Sequence, residues 1–267
     1  MRRMSEVVQA RPPAFLPNWP TRVAWLALIA YAFYAASILD ITWERFVIGL
    51  DNGVRFIGRM VPPDTNPAKL QLLAQGLYES IEIAVIASAL GIALSLPIGL
   101  LAARNLMPAW VTWPMRLFIA LCRSFHQVII AIVFVKAVGF GALAGILALT
   151  VASIGFTGKL FAEAIEEISL KQVEAIRATG APFASVIAYG VLPQVLTRFV
   201  GFATYQVDSN LRNSTMVGMV GAGGIGGTMF AAFQRFDYDF LCTILLAIIA
   251  VIMISEALQN QIKKLYQ

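Results

Sequence analysis

The chain has 267 residues, 59% of them hydrophobic and only 13% charged, with a mean hydropathy of +0.76, whereas ordinary soluble domains carry roughly a quarter charged residues. This is a membrane composition, and it sets soluble enzymes aside. The net charge of +5 does not point to nucleic acid, because Arg2, Arg3, Arg11, Arg22, Arg104, Arg116, Lys263 and Lys264 flank apolar runs, as cytoplasmic anchors do, and no basic helix or aromatic-interleaved basic patch occurs.

Residues 1–22 hold Pro12, Pro13, Pro17 and Pro20 and are expected to form a cytoplasmic N-terminal tail. The apolar run 23–39 follows as a first transmembrane helix. Prolines precede it and no small-residue cleavage site follows, so it is expected to be retained and not removed as a signal peptide. Across 40–70, Trp43, Phe46, Val47, Leu50, Val54 and Ile57 recur at helical spacing, with Glu44, Arg45, Asp51, Asn52, Arg55 and Arg59 mostly opposite. That pattern predicts an amphipathic helix, lying in a membrane interface or packed on protein, and "VPPDTNP" ends it.

The remaining chain, 71–267, reads as a core. A second span is predicted over 77–103, with Pro97 expected to kink it unless neighbouring helices compensate, and a third over 112–138. The third carries Arg116, Arg123, His126 and Lys136, which belong near span ends or against a protein interior and not against lipid. A fourth, 141–161, is striped with Gly141, Ala142, Ala144, Gly145, Ala148 and Ala152, small residues that let helices approach closely. Next comes "VEAIRATGAPFASVIAYGVLP" (173–193), preceded by Glu163, Glu166, Glu167 and Lys171. It is too polar to span. Residues 171–178 suit two helical turns, Gly180 a C-terminal stop and Pro182 the start of the next element. A fifth span starts near Ser185, passes Arg198 and Asp208, and gives way to "MVGAGGIGG" (219–227), where five glycines leave the backbone poorly committed to helix. The sixth covers 238–258. Six spans put both termini on one side, expected to be cytoplasmic, although Arg45, Arg55, Arg59 and Lys69 would then lie outside.

Chemistry within the chain has few candidates. Cys122 and Cys242 lie far apart without metal or disulfide spacing. His126 is the single histidine, so a histidine-rich metal centre is excluded. Gly221, Gly223, Gly224, Gly226 and Gly227 lack the Gly-Lys-Ser/Thr ending of a nucleotide loop. No catalytic residue, metal site or cofactor is expected in this chain. Arg123, Lys136, Arg198 and Arg212 are compatible with an anion moving along a watered path; taken singly, each is better explained by pairing with Glu, Asp or backbone carbonyls at a helix end.

"EAIRATG" and, after it, "GVLP" resemble the EAA loop of ABC importer permeases, whose pattern is Glu-Ala-Ala, three residues, Gly, nine residues, Ile, one residue, Leu-Pro. Glu174, Ala175, Gly180, Leu192 and Pro193 fit, while Ile176 and Gly190 depart from it at intact spacing. The resemblance runs from about Gln71 to the end of the chain. "QGLYESIEIAVIASALGIALSLPIGLLAARN", "CRSFHQVIIAIVFV", "RNSTMVGMVGAGGIGG" and "FDYDF" are similar to phosphonate permeases of the PhnE type. Relatives usually carry proline two residues after Arg-Ser, where this chain has His126, so a kink there is not predicted.

What the resemblance implies is an all-α integral membrane protein with six transmembrane helices, the type I ABC importer permease fold, homodimeric in the bacterial inner membrane. It implies a coupling helix at 166–182 in which Glu174, Ala175, Arg177 and Gly180, with Leu192 and Pro193 beyond, dock on a cytoplasmic ATPase subunit. ATP and Mg would be bound by that partner. Further partners are a second copy of the chain, two ATPase subunits, a periplasmic or lipid-anchored phosphonate-binding protein and membrane lipid. Arg123, Ser124, Arg212, Gly221, Gly223, Gly224 and Gly226 are the candidates for pathway or gate. A methionine-type permease of the same class, a passive anion channel and, with no candidate catalytic cluster, a membrane-embedded transferase stay open as alternatives.

Overall fold

The structure is a computed structural model that describes residues 19–39 and 42–266, with side chains described as far as residue 261. Among these residues the regular elements are all helical. Two compact units divide the chain, at Gly58 and Arg59.

The first unit contains α1 (Trp19–Ile38) and α2 (Trp43–Arg59, whose last residue belongs to the second unit). α1 starts four residues before the expected span, so Trp19–Arg22 are helix and not tail; residues 1–18 lie outside the described residues. With 20 residues it can cross a bilayer, and none of its residues is buried in the protein. α2 is the expected amphipathic helix. Trp43 and Phe46 stack with ring centroids 5.4 Å apart, and Asp51 pairs with Arg55 one turn on, at 2.7 Å.

The second unit is built around α3 (Pro67–Ala102) and α6 (Ala142–Glu166), whose mutual contact is the most extensive in the chain. α3 starts ten residues before the expected 77. Hydropathy misses its polar first turns, but Asn66 caps it, accepting from the Ala68 N–H at 3.1 Å, and Pro67 occupies the first helical turn, where no N–H is needed. At 36 residues it is about 54 Å long, and it runs unbroken through Pro97. Its buried positions include Ser80, Ala84, Ser88, Gly91, Ser95 and Gly99, and both of these glycines meet α6. A Cβ on Gly91 would overlap the Ser153 Cβ, and one on Gly99 would stand 2.9 Å from Phe161. Backbone therefore meets side chain with nothing between.

The expected third span is two helices, α4 (Ala109–Ser124) and α5 (Gln127–Val138), bent by 90° at Phe125–His126. The missing proline does not remove the break. Phe125 and His126 are both extended, and His126 caps α5 through Nδ1, which accepts from the Val128 N–H at 3.4 Å. Then α6 leads into α7 (Leu170–Ala178), α8 (Phe183–Val186), a π-turn (Ile187–Val191) and α9 (Leu192–Gly218). The fifth span therefore continues ten residues past Asp208. After the glycine loop comes a helix that hydropathy did not predict, α10 (Ile225–Gln234), and then α11 (Tyr238–Tyr266). Among the described residues five helices are long and apolar enough to cross a membrane, and the bent α4/α5 pair makes a sixth candidate.

Inside the bundle, Asn210 donates to Ser88 Oγ at 2.9 Å and Ser153 Oγ at 2.8 Å, and Gln206 donates to Ser153 Oγ and Asn210 Oδ1. This chain of bonds pins α9 to both α3 and α6, with polar groups satisfied where hydrocarbon offers them no partner. Gly91→Ala should lower the unfolding midpoint in detergent, an overpacking cost of about 1–3 kcal/mol. Gly201→Ala in α9, where the added methyl meets nothing within 4 Å, should leave it unchanged or raise it by the helix-propensity gain of up to about 1 kcal/mol.

Candidate functional site

The stretch from Glu167 to Arg198 folds as a hairpin at one end of the bundle. α7 occupies 170–178 of the expected 166–182, Thr179 closes it, and Gly180 takes φ +77° in the left-handed region. Val173 is the one buried residue of α7 and packs with Val186, Val191 and Val195 on Phe161, Ala164 and Ile165 of α6. Glu174, Ala175 and Arg177 are exposed, and none of them makes an ion pair within the described residues. So the short helix is fixed by its apolar side and offers its charges outward.

The hairpin is tied to the base of α9. Gln194 accepts from the Ser169 N–H at 2.9 Å and donates to the Gly190 carbonyl at 2.6 Å, and Arg198 pairs with Glu167 at 2.5 Å. Pro193 supplies no N–H, and the π-turn before it widens the helix so that the Leu192 N–H reaches back to the Ile187 carbonyl. Leu192 and Pro193 are both exposed at the start of α9.

The two departures from the family pattern touch each other. A Cβ on Gly190 would lie 3.2 Å from Ile176 Cδ1 and 3.4 Å from Val173 Cα. Bulk missing at 190 is supplied from 176, across the same contact between α7 and the π-turn.

The glycine candidates are closely packed. Gly221, Gly223 and Gly224 have φ of +90°, +83° and +77°. A Cβ on Gly224 would meet Ser80 Oγ at 2.5 Å, and one on Gly226 would overlap the Thr215 carbonyl. Ser80 Oγ accepts from the Ile225 N–H at 2.8 Å and the Gly221 carbonyl accepts from the Gly141 N–H at 3.0 Å, so the loop is stitched to α3 and to the entry of α6. Gly145 meets this loop so closely that a Cβ there would overlap the Ala222 carbonyl, while Arg123 lies against Gly155. Ten residues of α6, about 15 Å, separate the two groups of candidates.

Of the cations inside spans, Arg212 pairs with buried Asp208, which also accepts from Ser255 Oγ at 3.3 Å, and Arg116 pairs with Glu166. Arg123 and Lys136 make no ion pair among the described residues. Ser124 Oγ turns back to donate to the Leu121 carbonyl at 2.8 Å. A cavity of about 250 Å³ between α4 and α6 is walled by Arg116, Arg123, Lys159 and Glu163. Sequence reasoning passed over Lys159, although its four-residue spacing from Gly155 and Glu163 places all three on one stripe of α6.

At another end of the unit, Lys69 bridges Asp64 at 2.7 Å and Asp237 at 2.5 Å and stands 5.4 Å from the Phe240 ring centroid. This fastens the loop before α3 to the "FDYDF" turn. Lys69 and the Asn66 N–H hold the Asp64 carboxyl below its ordinary value.

Residues 95–265 match the family described as binding-protein-dependent transport system inner membrane component. The chain belongs to this family. The permease is 39% identical over 206 residues to the phosphate-import permease protein PhnE of Mycolicibacterium smegmatis, covering 77% of this chain and 38% of that longer one. It is 35% identical to the phosphite transport system permease protein PtxC of Stutzerimonas stutzeri, over 89% of this chain and 85% of the relative. In fold it is similar to the inward-facing MetNI methionine ABC transporter, with a TM-score of 0.68 and 23% identity over 76% of this chain and 100% of that one. The chain is thus a permease component of an ABC importer, with the type I fold.

Gly190→Ile should destabilise the permease by about 1–3 kcal/mol, and Ile176→Ala in the same chain should recover most of that loss, read as unfolding midpoints of the two single variants and the double. A depressed carboxyl stabilises above its ordinary range and loses that contribution as pH falls through its shifted value. Hydrogen exchange over residues 61–66, corrected for intrinsic rate, should therefore stay constant from pH 8 to 5 and quicken only below about pH 4.

Proposed function

We propose that the permease imports phosphonates, or the related oxyanions phosphate and phosphite, as a homodimer driven by two ATPase subunits and supplied by a periplasmic or lipid-anchored binding protein. The observation that carries the coupling half of this reading is α7: a short helix held by Val173 and by the Gln194 and Arg198 ties, with Glu174, Ala175 and Arg177 exposed and without an ion pair among the described residues. A charged surface of this kind, fixed to the bundle at one end of α6 and α9, is suited to receive a partner and to pass its movement on. ATP and Mg belong to that partner, and both termini of the permease are assigned to the cytoplasm.

Closure of the ATPase pair would push α7, and the push would enter α9 through Leu192, Pro193 and Gln194, turning the bundles between inward and outward access as rigid bodies. The glycine loop with Gly221, Gly223, Gly224 and Gly226 is assigned to a gate or to binding-protein contact, and Arg123, Ser124 and Arg212 to the pathway. Support for the oxyanion comes from the relatives' names, one a phosphate importer and one a phosphite transport permease.

Uptake of labelled methylphosphonate, phosphite and methionine in cells lacking their own systems tests the ligand. Methylphosphonate or phosphite should accumulate, and accumulation of methionine alone refutes the oxyanion. Uptake that persists with a catalytically dead ATPase refutes coupling and leaves a passive channel. Glu174→Arg should keep membrane insertion and cut uptake at least about tenfold through lost ATPase recruitment, because one acceptor is removed and a repulsion added; co-purification of the ATPase and transport assays read both.

A further inference from the structure

Arg123 is held in an unusual place. Gly155, Lys159 and Glu163 follow each other at four-residue steps along α6, and Arg123 Cγ lies only 2.7 Å from where a Cβ on Gly155 would stand, so the absent side chain brings α4 onto this stripe. Lys159 and Glu163 are 3.4 Å apart with side chains 46% and 47% exposed. Arg116 is neutralised by Glu166 and Lys159 by Glu163; Arg123 is left over, and the cavity of about 250 Å³ among them carries a surplus of one positive charge.

Depth decides what the surplus can mean. Lys159 and Gly155 lie seven and eleven residues before the end of α6 at Glu166, about 10 and 16 Å along the helix. A hydrocarbon core is about 30 Å thick, so with the end of α6 at the membrane surface these groups lie within it, where ionised side chains face water or protein in preference to lipid. The last carbonyls of α4 offset the charge of Arg123 in part, and among the described residues the two carboxylates beside the cavity are already engaged. About 250 Å³ holds a tetrahedral oxyanion together with several waters at about 30 Å³ each.

We infer that the cavity between α4 and α6 is a watered transit site for a small oxyanion, with Arg123 as its principal attractor and the Lys159–Glu163 pair as an exchangeable second contact. Lys159 can release Glu163 to an entering anion and recover it on departure, so the anion is held without being trapped. The identity of the oxyanion rests on the import reading above; the positive surplus does not.

Ala120 is exposed on the cavity wall. The full chain carrying Ala120→Cys, with Cys122→Ala and Cys242→Ala, is placed in permeabilised membrane vesicles so that reagent reaches both faces. Rates with an anionic and a cationic methanethiosulfonate are each normalised to a free thiol. The anionic reagent should react about tenfold faster, Arg123→Gln should bring the ratio close to one, and Arg123→Lys should restore it. Equal rates in the parent, a cation preference, a ratio unmoved by Arg123→Gln, or no reaction with either reagent overturns the site. Millimolar phosphate, phosphite or methylphosphonate should slow the anionic reaction severalfold. Persistence of the charge preference without that slowing refutes the oxyanion class while leaving the site positive and watered.

Discussion

The closeness with which other elements approach α6 governs the rest of the second unit. Gly91 against Ser153, Gly99 against Phe161, Gly145 against the Ala222 carbonyl and Gly155 against Arg123 and Cys122 all place a hydrogen where any other residue has a carbon. In lipid there is no hydrophobic force between helices, so contact area and interhelical hydrogen bonds supply the cohesion. Each glycine shortens a separation, and the Ser88, Ser153, Gln206 and Asn210 bonds are then within reach. The same approach orders three features along α6: the loop sits at one end, the basic cavity further along, and the α7 hairpin beyond it.

A helix that is rigid and contacted at three levels is a suitable carrier of movement. The hairpin is coupled to it through Phe161, Ala164 and Ile165 and to α9 through Gln194 and Arg198. Displacing α7 must therefore load both helices together. The π-turn before Pro193 is the weak point of this connection, since a widened turn exchanges hydrogen-bond partners at low cost. Its Gly190 carbonyl is held by a side chain, Gln194, which stiffens that turn.

Features with a local cause were legible in the chain's residues. The exposed Glu174 and Arg177, the Gly180 stop and the amphipathic α2 each follow from spacing or from one residue's backbone preference. The break at Phe125–His126 did not, because the expected cue was proline, and extended backbone capped by an imidazole leaves no periodic trace. α10 was hidden by Gly226 and Gly227, whose low helix propensity is overridden by close packing on Gly218. Charges were the least legible. Arg212 has Asp208 four residues before it, a spacing that was not used, while Arg123 has Ile119 there and no ion pair among the described residues.

That last difference follows from helix geometry. A cation with a carboxylate one turn away on its own helix is neutralised before tertiary structure forms, as for Arg212–Asp208 and Lys159–Glu163. Arg123 sits at the end of α4, where the chain turns by 90° and the next turn of helix is absent. It has no successor position in the helix, and the position one turn before it is the apolar Ile119, so beyond the carbonyls at the end of α4 its compensation comes from another helix or from a mobile anion. The other helix brings a glycine at the contact and a lysine one turn on. The break after Arg123 and the apolar Ile119 one turn before it thus leave a cation with no carboxylate on its own helix, and the absent side chain of Gly155 lets it lie directly against α6.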